Sequence, residues 1–446
     1  MSTLLSGQSQ PPLTPVYPFN SPGQPVILYR GPIGGMAAAD RSGVVELSFE
    51  QGFGIKWAID ADEEPDPLNF LGSTLILHRP DGDMQLCGIQ RNSNDGSSNG
   101  ATFGDANAPF DHILVHWFNL PRWIGSIDLT ASTSDGGQIW WLGGRWTHEV
   151  NGWKITIDVR ADHNEIWSKL YKSNGYVMTH VMELRRVDGA SFTAADASTV
   201  LDAMHAATSF ALGRWVAPML PVGRDASGKV AWEEWNGRHC DPARRTSAGW
   251  WDPHDPAPLA ELLDLVIPAF ADPDVRPILW RQMVFAITAT NDKGFVEQRI
   301  AIGAAGLEHF MWQALVLSGR VSERAYKRKT AYNLLLQVLT EAQISVAVDD
   351  QQLPITALFM TEECLRQNNI SDNAQVVTQV RNGLVHPKGA QEKIYRLDGL
   401  VVEAWLVTRH YLVLLILHSL GYKGVYRDLR EVSGWAGSHI SNVPWR

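Results

Sequence analysis

Cysteine is scarce in this chain of 446 residues, with only Cys87, Cys240 and Cys364. They lie far apart and show no Cys-x-x-Cys spacing, and His239-Cys240 stands alone. This excludes a disulfide-stapled scaffold and argues against zinc, and so sparse a set suits a reducing cytoplasm. Long uncharged apolar runs are lacking as well. The most apolar stretch, Leu400 to Tyr422, is interrupted by Glu403, Arg409, His410 and His418, so it reads as a buried core helix and not a membrane span. No basic start followed by an apolar core opens the chain, so no signal peptide is expected, and the Asn369-Ile370-Ser371 sequon then carries no meaning. Walker loops, the Rossmann glycine pattern, His-Glu-x-x-His and the nucleophile elbow are all missing, so no cofactor or metal is implied.

Tryptophan is plentiful. The chain has 18, and 13 of them precede Asp252. Charge is uneven too. From Arg276 onward there are 19 Lys and Arg against 15 Asp and Glu, a surplus of +4, which leaves −14 for the front part of a chain whose total is −10. An acidic front does not grip nucleic acid through its backbone, whereas a mildly basic back is free to do so.

Residues 1–32 are rich in Pro, Ser, Gly and Gln and read as an extended arm. From Gly43 to Val187 the signals are those of short strands with polar turns, which point to a sandwich or a strongly bent sheet. Leu75–His78 and Met84–Ile89 flank the turn Pro80-Asp81-Gly82-Asp83 and form a hairpin. Residues 92–107 are Asn-, Ser-, Gly- and Asp-rich and are expected to be a mobile loop. Helical spacing over Phe192–Leu212, capped by Thr193, precedes a hairpin over Trp215–Val222 and Lys229–Trp235. A linker is placed near Ala271–Asp274, with Pro258–Phe270 a helix attached to either side. Beyond it, apolar spacing of three and four predicts helices at 278–290, 295–317, 322–343, 355–368, 373–386 and 397–420. The expected fold class is therefore α+β with two domains. A β-rich, sandwich-like domain (33–271) follows the arm, and an all-α bundle occupies 276–446.

The densest chemistry lies in Val380-Arg381-Asn382-Gly383-Leu384-Val385-His386-Pro387-Lys388. Arginine holds phosphate bidentately, and histidine moves protons near neutral pH. The bare Arg-x-x-x-x-His spacing arises about once by chance in a chain of this composition, so the adjoining Asn and Pro carry the weight. On a helical wheel Asn373, Val376, Val377, Val380 and Leu384 face the core, and Arg381 lies at the edge of that sector. Asn382 and His386 share the opposite side. Arg381 and His386 are about 140° apart at about 100° per residue. They converge on one phosphate only if Pro387 and Gly383 re-aim the histidine or if a second copy of the chain supplies it. The competing reading is a solvated helix end with His386 at the favourable terminus of the dipole.

Arg381-Asn382-x-x-x-His386 on a late helix resembles the signature of the HEPN superfamily, and Glu308 in Gly306-Leu307-Glu308-His309 is similar to an acidic position many of its members carry. The stretch from Phe210 to Trp235 resembles the β-rich N-terminal regions of ApeA-like antiphage proteins. The resemblance implies a HEPN-type bundle acting as a metal-independent endoribonuclease, with a site assembled in a homodimer. His386 would serve as general base or acid, Arg381 would stabilise phosphorane charge, and Asn382 would orient the phosphate or the imidazole. It further implies a cytoplasmic antiviral effector or toxin controlled by its front domain, which would sense a phage-derived trigger or protein partner. Arg324, Lys327, Arg328 and Lys329 are candidates for binding the RNA backbone, with a solvated charged face as the competing reading. The alternative function is a Trp-rich β-domain for a ligand or carbohydrate, carried on a non-catalytic dimerisation module.

Overall fold

From Met84 to Gln90 buried and exposed residues alternate, and the strands around this stretch close on themselves. The computed structural model describes residues 9–35, 40–50, 53–60, 72–91, 94–133, 136–243, 248–365, 369–386, 391–431 and 437–446. The first six strands are β1 (Val26–Gly34), β2 (Arg41–Ser48), β3 (Gly54–Ile59), β4 (Gly72–Arg79), β5 (Gly82–Gln90) and β6 (Asp95–Gly104). They pair antiparallel in the cyclic order β1-β2-β3-β6-β5-β4, which makes a closed barrel. Closure removes the open edges that a flat six-stranded sheet would leave unpaired.

Trp57 occupies the barrel interior, and two glycines make room for it. A Cβ on Gly88 would stand 2.8 Å from its Nε1, and one on Gly96 would stand 2.5 Å from its Cζ2. This explains why the stretch expected to be a mobile loop is largely strand β6. Gly96 is small because a buried indole lies against it, and Gly100 and Gly104 because the backbone carbonyls of Trp235 and Ala231 do, a reason local composition does not reveal.

β6 also joins the barrel to the remaining strands. Its edge pairs with β3 over Asp95–Ser98 and then with β13 over Ala101–Gly104. Beyond it lie β7 (His112–Phe118), β8 (Ile127–Ser132), β9 (Gln138–Val150), β10 (Trp153–Val159), β11 (Met178–Arg186), β12 (Ala217–Arg224) and β13 (Val230–Trp235). Two helices, α1 (His163–Ser173) and α2 (Ala194–Leu212), are inserted between them. The order from β6 is β13-β12-β7-β11-β10-β9-β8, so of the two arrangements expected the strands form one antiparallel sheet of 13 strands and not a sandwich of two sheets. Both hairpins expected from turn chemistry are present, and α1 had no anticipated counterpart.

The arm packs along this unit through specific bonds. Leu13 N donates to Asp158, Val16 N to His116 Nε2 at 3.1 Å, and Gln10 bridges the edge strand β8 at Leu129. Tyr17 reaches Glu233 and Trp235 in the core.

The chain divides into two compact units, Met1–His205 with Val216–Thr246, and Ala206–Trp215 with Ser247–Arg446. The helical unit thus begins before the linker expected at 271–274 and takes in α3 (Ala257–Ala271). It continues with α4 (Arg276–Thr290) and α5 (Val296–Met311), which runs into a π-helical turn at Trp312–Leu317. Next come α6 (Glu323–Tyr326), α7 (Ala331–Glu341), α8 (Pro354–Leu365), α9 (Asn373–Val385), α10 (Gln391–Arg396) and α11 (Leu400–Ser419). A small ribbon of β14 (Val425–Arg427) and β15 (Ile440–Asn442) lies near the end. The single helix expected at 322–343 is broken in two, because Thr330 caps a new start by accepting from Asn333 N.

The apolar window of α11 is 89% buried, as expected of a core helix. α5 lies against it closely, since a Cβ on Gly303 would be 2.7 Å from Thr408 and one on Gly306 2.7 Å from Leu412. α9 packs on both α5 and α11, and this arrangement presents the 381–386 segment.

Several histidines are buried in neutral form. His116 accepts from Val16 N at Nε2 and faces Leu220 O at 3.1 Å with Nδ1, which fixes its tautomer. Burial lowers His116 and His163 to about 4, and His205 and His410 to about 3. The unfolded chain takes up these protons near 6.5. Stability is therefore complete above pH 6.5 and falls as pH drops toward 4, by up to about 1.4 kcal/mol per histidine for each pH unit crossed. Urea midpoints should hold from pH 7.5 to about 7 and decline from there to pH 5, and a flat profile across the whole range would contradict the neutral assignment.

Candidate functional site

Asp372 starts α9. Its carboxylate accepts from Gln375 N at 2.9 Å, capping the helix, and from the Tyr332 hydroxyl of α7 at 2.7 Å. The wheel holds from there. Asn373, Val376, Val377 and Val380 are buried, Leu384 is half-buried, and Asn382 and His386 are exposed. Gly383 differs from its expected part. It is buried inside α9, and a Cβ there would come within 3.1 Å of Ile394 on α10, so its small size serves packing.

The structure brings three of the four motif residues together. Arg381 Nη2 donates to Glu308 Oε1 at 2.8 Å, joining α9 to α5, and its Nη1 donates to Asn382 Oδ1 at 3.0 Å. Both partners of the ion pair keep access to solvent, with side chains 26% and 48% exposed for Arg381 and Glu308. A pair this open contributes little to stability, about 0–1 kcal/mol. Its consequence is chemical, because the guanidinium face that would meet a phosphate oxygen already meets a carboxylate.

His386 stands apart. It is the first residue beyond α9, with φ −123° and ψ 80°, and its N–H donates to Asn382 O at 2.9 Å. Departure from helical geometry is what a following proline imposes. Pro387 itself lies outside the described residues. Among the described residues the His386 ring has no hydrogen-bond partner, and it does not line the cleft that holds Arg381.

That cleft lies between α5, α7 and α9 and has an empty volume of about 330 Å³ including its open mouth. Ala304, Leu307, Met311, Ala331, Leu335 and Val377 form its walls, and Glu308, Thr378, Arg381 and Asn382 its polar rim. Thr378 lies one turn before Arg381 on the same face, so a helical wheel centred on the arginine would have found it. Ala304 and Met311 needed the packing of α5 on α9, which spacing does not disclose. Tyr326 is a further neighbour. It stacks edge-on against Trp312 at 5.2 Å, and burial followed by the Glu308 charge raises its phenol.

The basic cluster is split by the helix break. Arg324 lies in α6, and Lys327, Arg328 and Lys329 lie in the turn before α7. Lys327 pairs with Glu323, and Lys329 Nζ donates to Gln337 at 2.8 Å. Arg324 and Arg328 are exposed and have no side-chain partner among the described residues.

Residues 105–246 match the YopA central domain, and residues 272–440 match the YopA C-terminal domain. The chain is similar to YopA. The SPbeta prophage-derived uncharacterized protein YopA of Bacillus subtilis (strain 168) is 27% identical over 316 residues. That match covers 68% of this chain and 66% of the relative, just under two thirds of its length. No solved structure matches. The YopA central domain corresponds to β7 through β13, and the C-terminal domain to the helices from α4 onward. The barrel strands β1–β6 lie outside both domain matches.

Removing the Asp372 carboxylate tests how α9 is held. Asp372→Ala should cost about 1–2 kcal/mol because both the cap and the Tyr332 bond disappear. A double-mutant cycle on Glu308→Gln and Arg381→Met should give a coupling of less than about 1 kcal/mol. Chemical denaturation followed in the helical unit checks both values.

Proposed function

We propose that the helical unit is a HEPN-type, metal-independent endoribonuclease and that the chain is an effector of prokaryotic antiviral defence. The observation that carries this reading is the joined set of Arg381, Asn382 and Glu308 at the rim of a cleft, with His386 exposed beyond the same helix. Arg381 would hold the scissile phosphate and stabilise the charge that develops on it. His386 would take the proton of the ribose 2′-hydroxyl or deliver one to the leaving oxygen. The products would be a 2′,3′-cyclic phosphate and a 5′-hydroxyl.

Placement of His386 outside the cleft of its own chain supports assembly of the site in a homodimer, where one protomer's histidine would serve its partner's arginine. The Arg381–Glu308 pair supports a resting state that must be broken before phosphate binds. The β-rich unit would respond to a phage-derived trigger or protein partner in the cytoplasm. The prophage origin of the YopA relative fits a setting of phage and host competition. A second reading, a non-catalytic dimerisation module beside a ligand-binding β-unit, draws on the same separation of His386 from Arg381.

Purified protein, activated by its trigger, should cleave RNA in the presence of EDTA. Arg381→Ala and His386→Ala should each lower the rate by about 10²–10⁴. No cleavage by the activated protein would favour the second reading, and cleavage abolished by chelation or unchanged in both variants would overturn the metal-independent mechanism.

RNA binding at the helix break is tested separately. Reversing charge at Arg324 and Arg328 should weaken RNA binding and flatten its salt dependence, by about 0.7 in log–log slope for each phosphate that is no longer neutralised. An unchanged slope would make this surface a solvated charged face.

A further inference from the structure

We infer that the cleft between α5, α7 and α9 is a nucleobase pocket, which seats the base next to the phosphate bound by Arg381. This rests on the reading of Arg381 as a phosphate ligand and adds to it the source of nucleotide selectivity. The floor of Ala304, Leu307, Met311, Leu335 and Val377 carries no charge and no hydrogen-bonding side chain. A planar aromatic ring is suited to such a surface, and the Met311 thioether is a favourable neighbour for a ring edge. The cleft is open to solvent at its mouth, and its walls enclose a narrow apolar space. Two alanines, Ala304 and Ala331, create that space.

The rim supplies what a base edge needs. Asn382 uses its Oδ1 to accept from Arg381, and among the described residues both N–H groups of its amide remain free to donate. Glu308 uses Oε1 for Arg381 and keeps Oε2 as an acceptor. Donor and acceptor thus flank an apolar slot, beside a cation for the adjoining phosphate. A base N–H that engages Glu308 would also draw the carboxylate away from Arg381 and free the guanidinium, so base and phosphate binding would be coupled.

Titration of the full chain with adenosine and cytidine 5′-monophosphates, ribose 5-phosphate and inorganic phosphate tests the pocket without relying on cleavage. The nucleotides should bind at least tenfold more tightly than ribose 5-phosphate. Ala304→Leu fills the cleft and should erase that difference while leaving ribose 5-phosphate binding unchanged. Ala331→Leu, at the partly exposed first turn of α7, should do the same if the first variant misfolds. Arg381→Ala should weaken every probe. Equal affinity for nucleotides and ribose 5-phosphate, retention of the difference in both filled variants, or no binding of any probe would overturn the pocket. Nucleotide binding in a chain that cleaves no RNA would support the pocket and overturn the ribonuclease reading. Cleavage without base preference would do the reverse. Competition between a short oligoribonucleotide and the mononucleotide, abolished in the filled variants, would assign the base to RNA and not to a free nucleotide.

Discussion

α11 is buried on every side from Ala404 to Leu417, and that single constraint organises the helical unit. A helix buried all round must be covered all round, so α4, α5, α8 and α9 are gathered about it. Gly303 and Gly306 let α5 approach until helix backbone meets the Thr408 and Leu412 side chains. The same approach sets Glu308 at the height of Arg381. The polar site is thus a by-product of apolar packing, since both charged residues lie on the flanks of helices whose other faces are committed to α11. Burial supplies the rigidity, and the ion pair adds little energy of its own.

Much of this was legible in the sequence because it rests on local rules. The wheel over Asn373–Val385 separates buried from exposed positions as the structure does, and Thr193 and Asp372 cap the helices they precede. The hairpins at Arg79–Gly82 and Val222–Glu233 follow from turn residues. The failures share a cause of the opposite kind. β6 was misread because its glycines answer to Trp57 and to the backbone at Ala231 and Trp235, which lie far from it in sequence. Barrel closure depends on β3 meeting β6, a pairing no window spans. The break between α6 and α7 was hidden because Thr330 looks like any threonine until its hydroxyl is seen accepting from Asn333 N.

The candidate site divides along the same line. Arg381, Asn382 and His386 were visible as a linear motif, and their angular separation on the wheel already set His386 apart. Glu308 was found by resemblance, and its contact with Arg381 is a tertiary fact. The apolar floor was out of reach, because alanine and leucine at helical spacing read as core whether or not a space opens between them. What distinguishes Ala304 and Ala331 is the volume they leave empty, which is a property of three helices together.

β6 belongs to two strand sets at once, and this bears on the order in which the β-rich unit can form. Most barrel strands pair with near neighbours in the chain, so their loops are short and cheap to close. The seam between β6 and β13 joins positions more than a hundred residues apart, and β13 is also the hairpin partner of β12. The barrel can therefore mature early on a chain still emerging from the ribosome, whereas the long seam waits for β12 and β13 to be made. Until then β6 offers half of one edge to solvent, and synthesis itself becomes the interval in which that edge is exposed to mispairing.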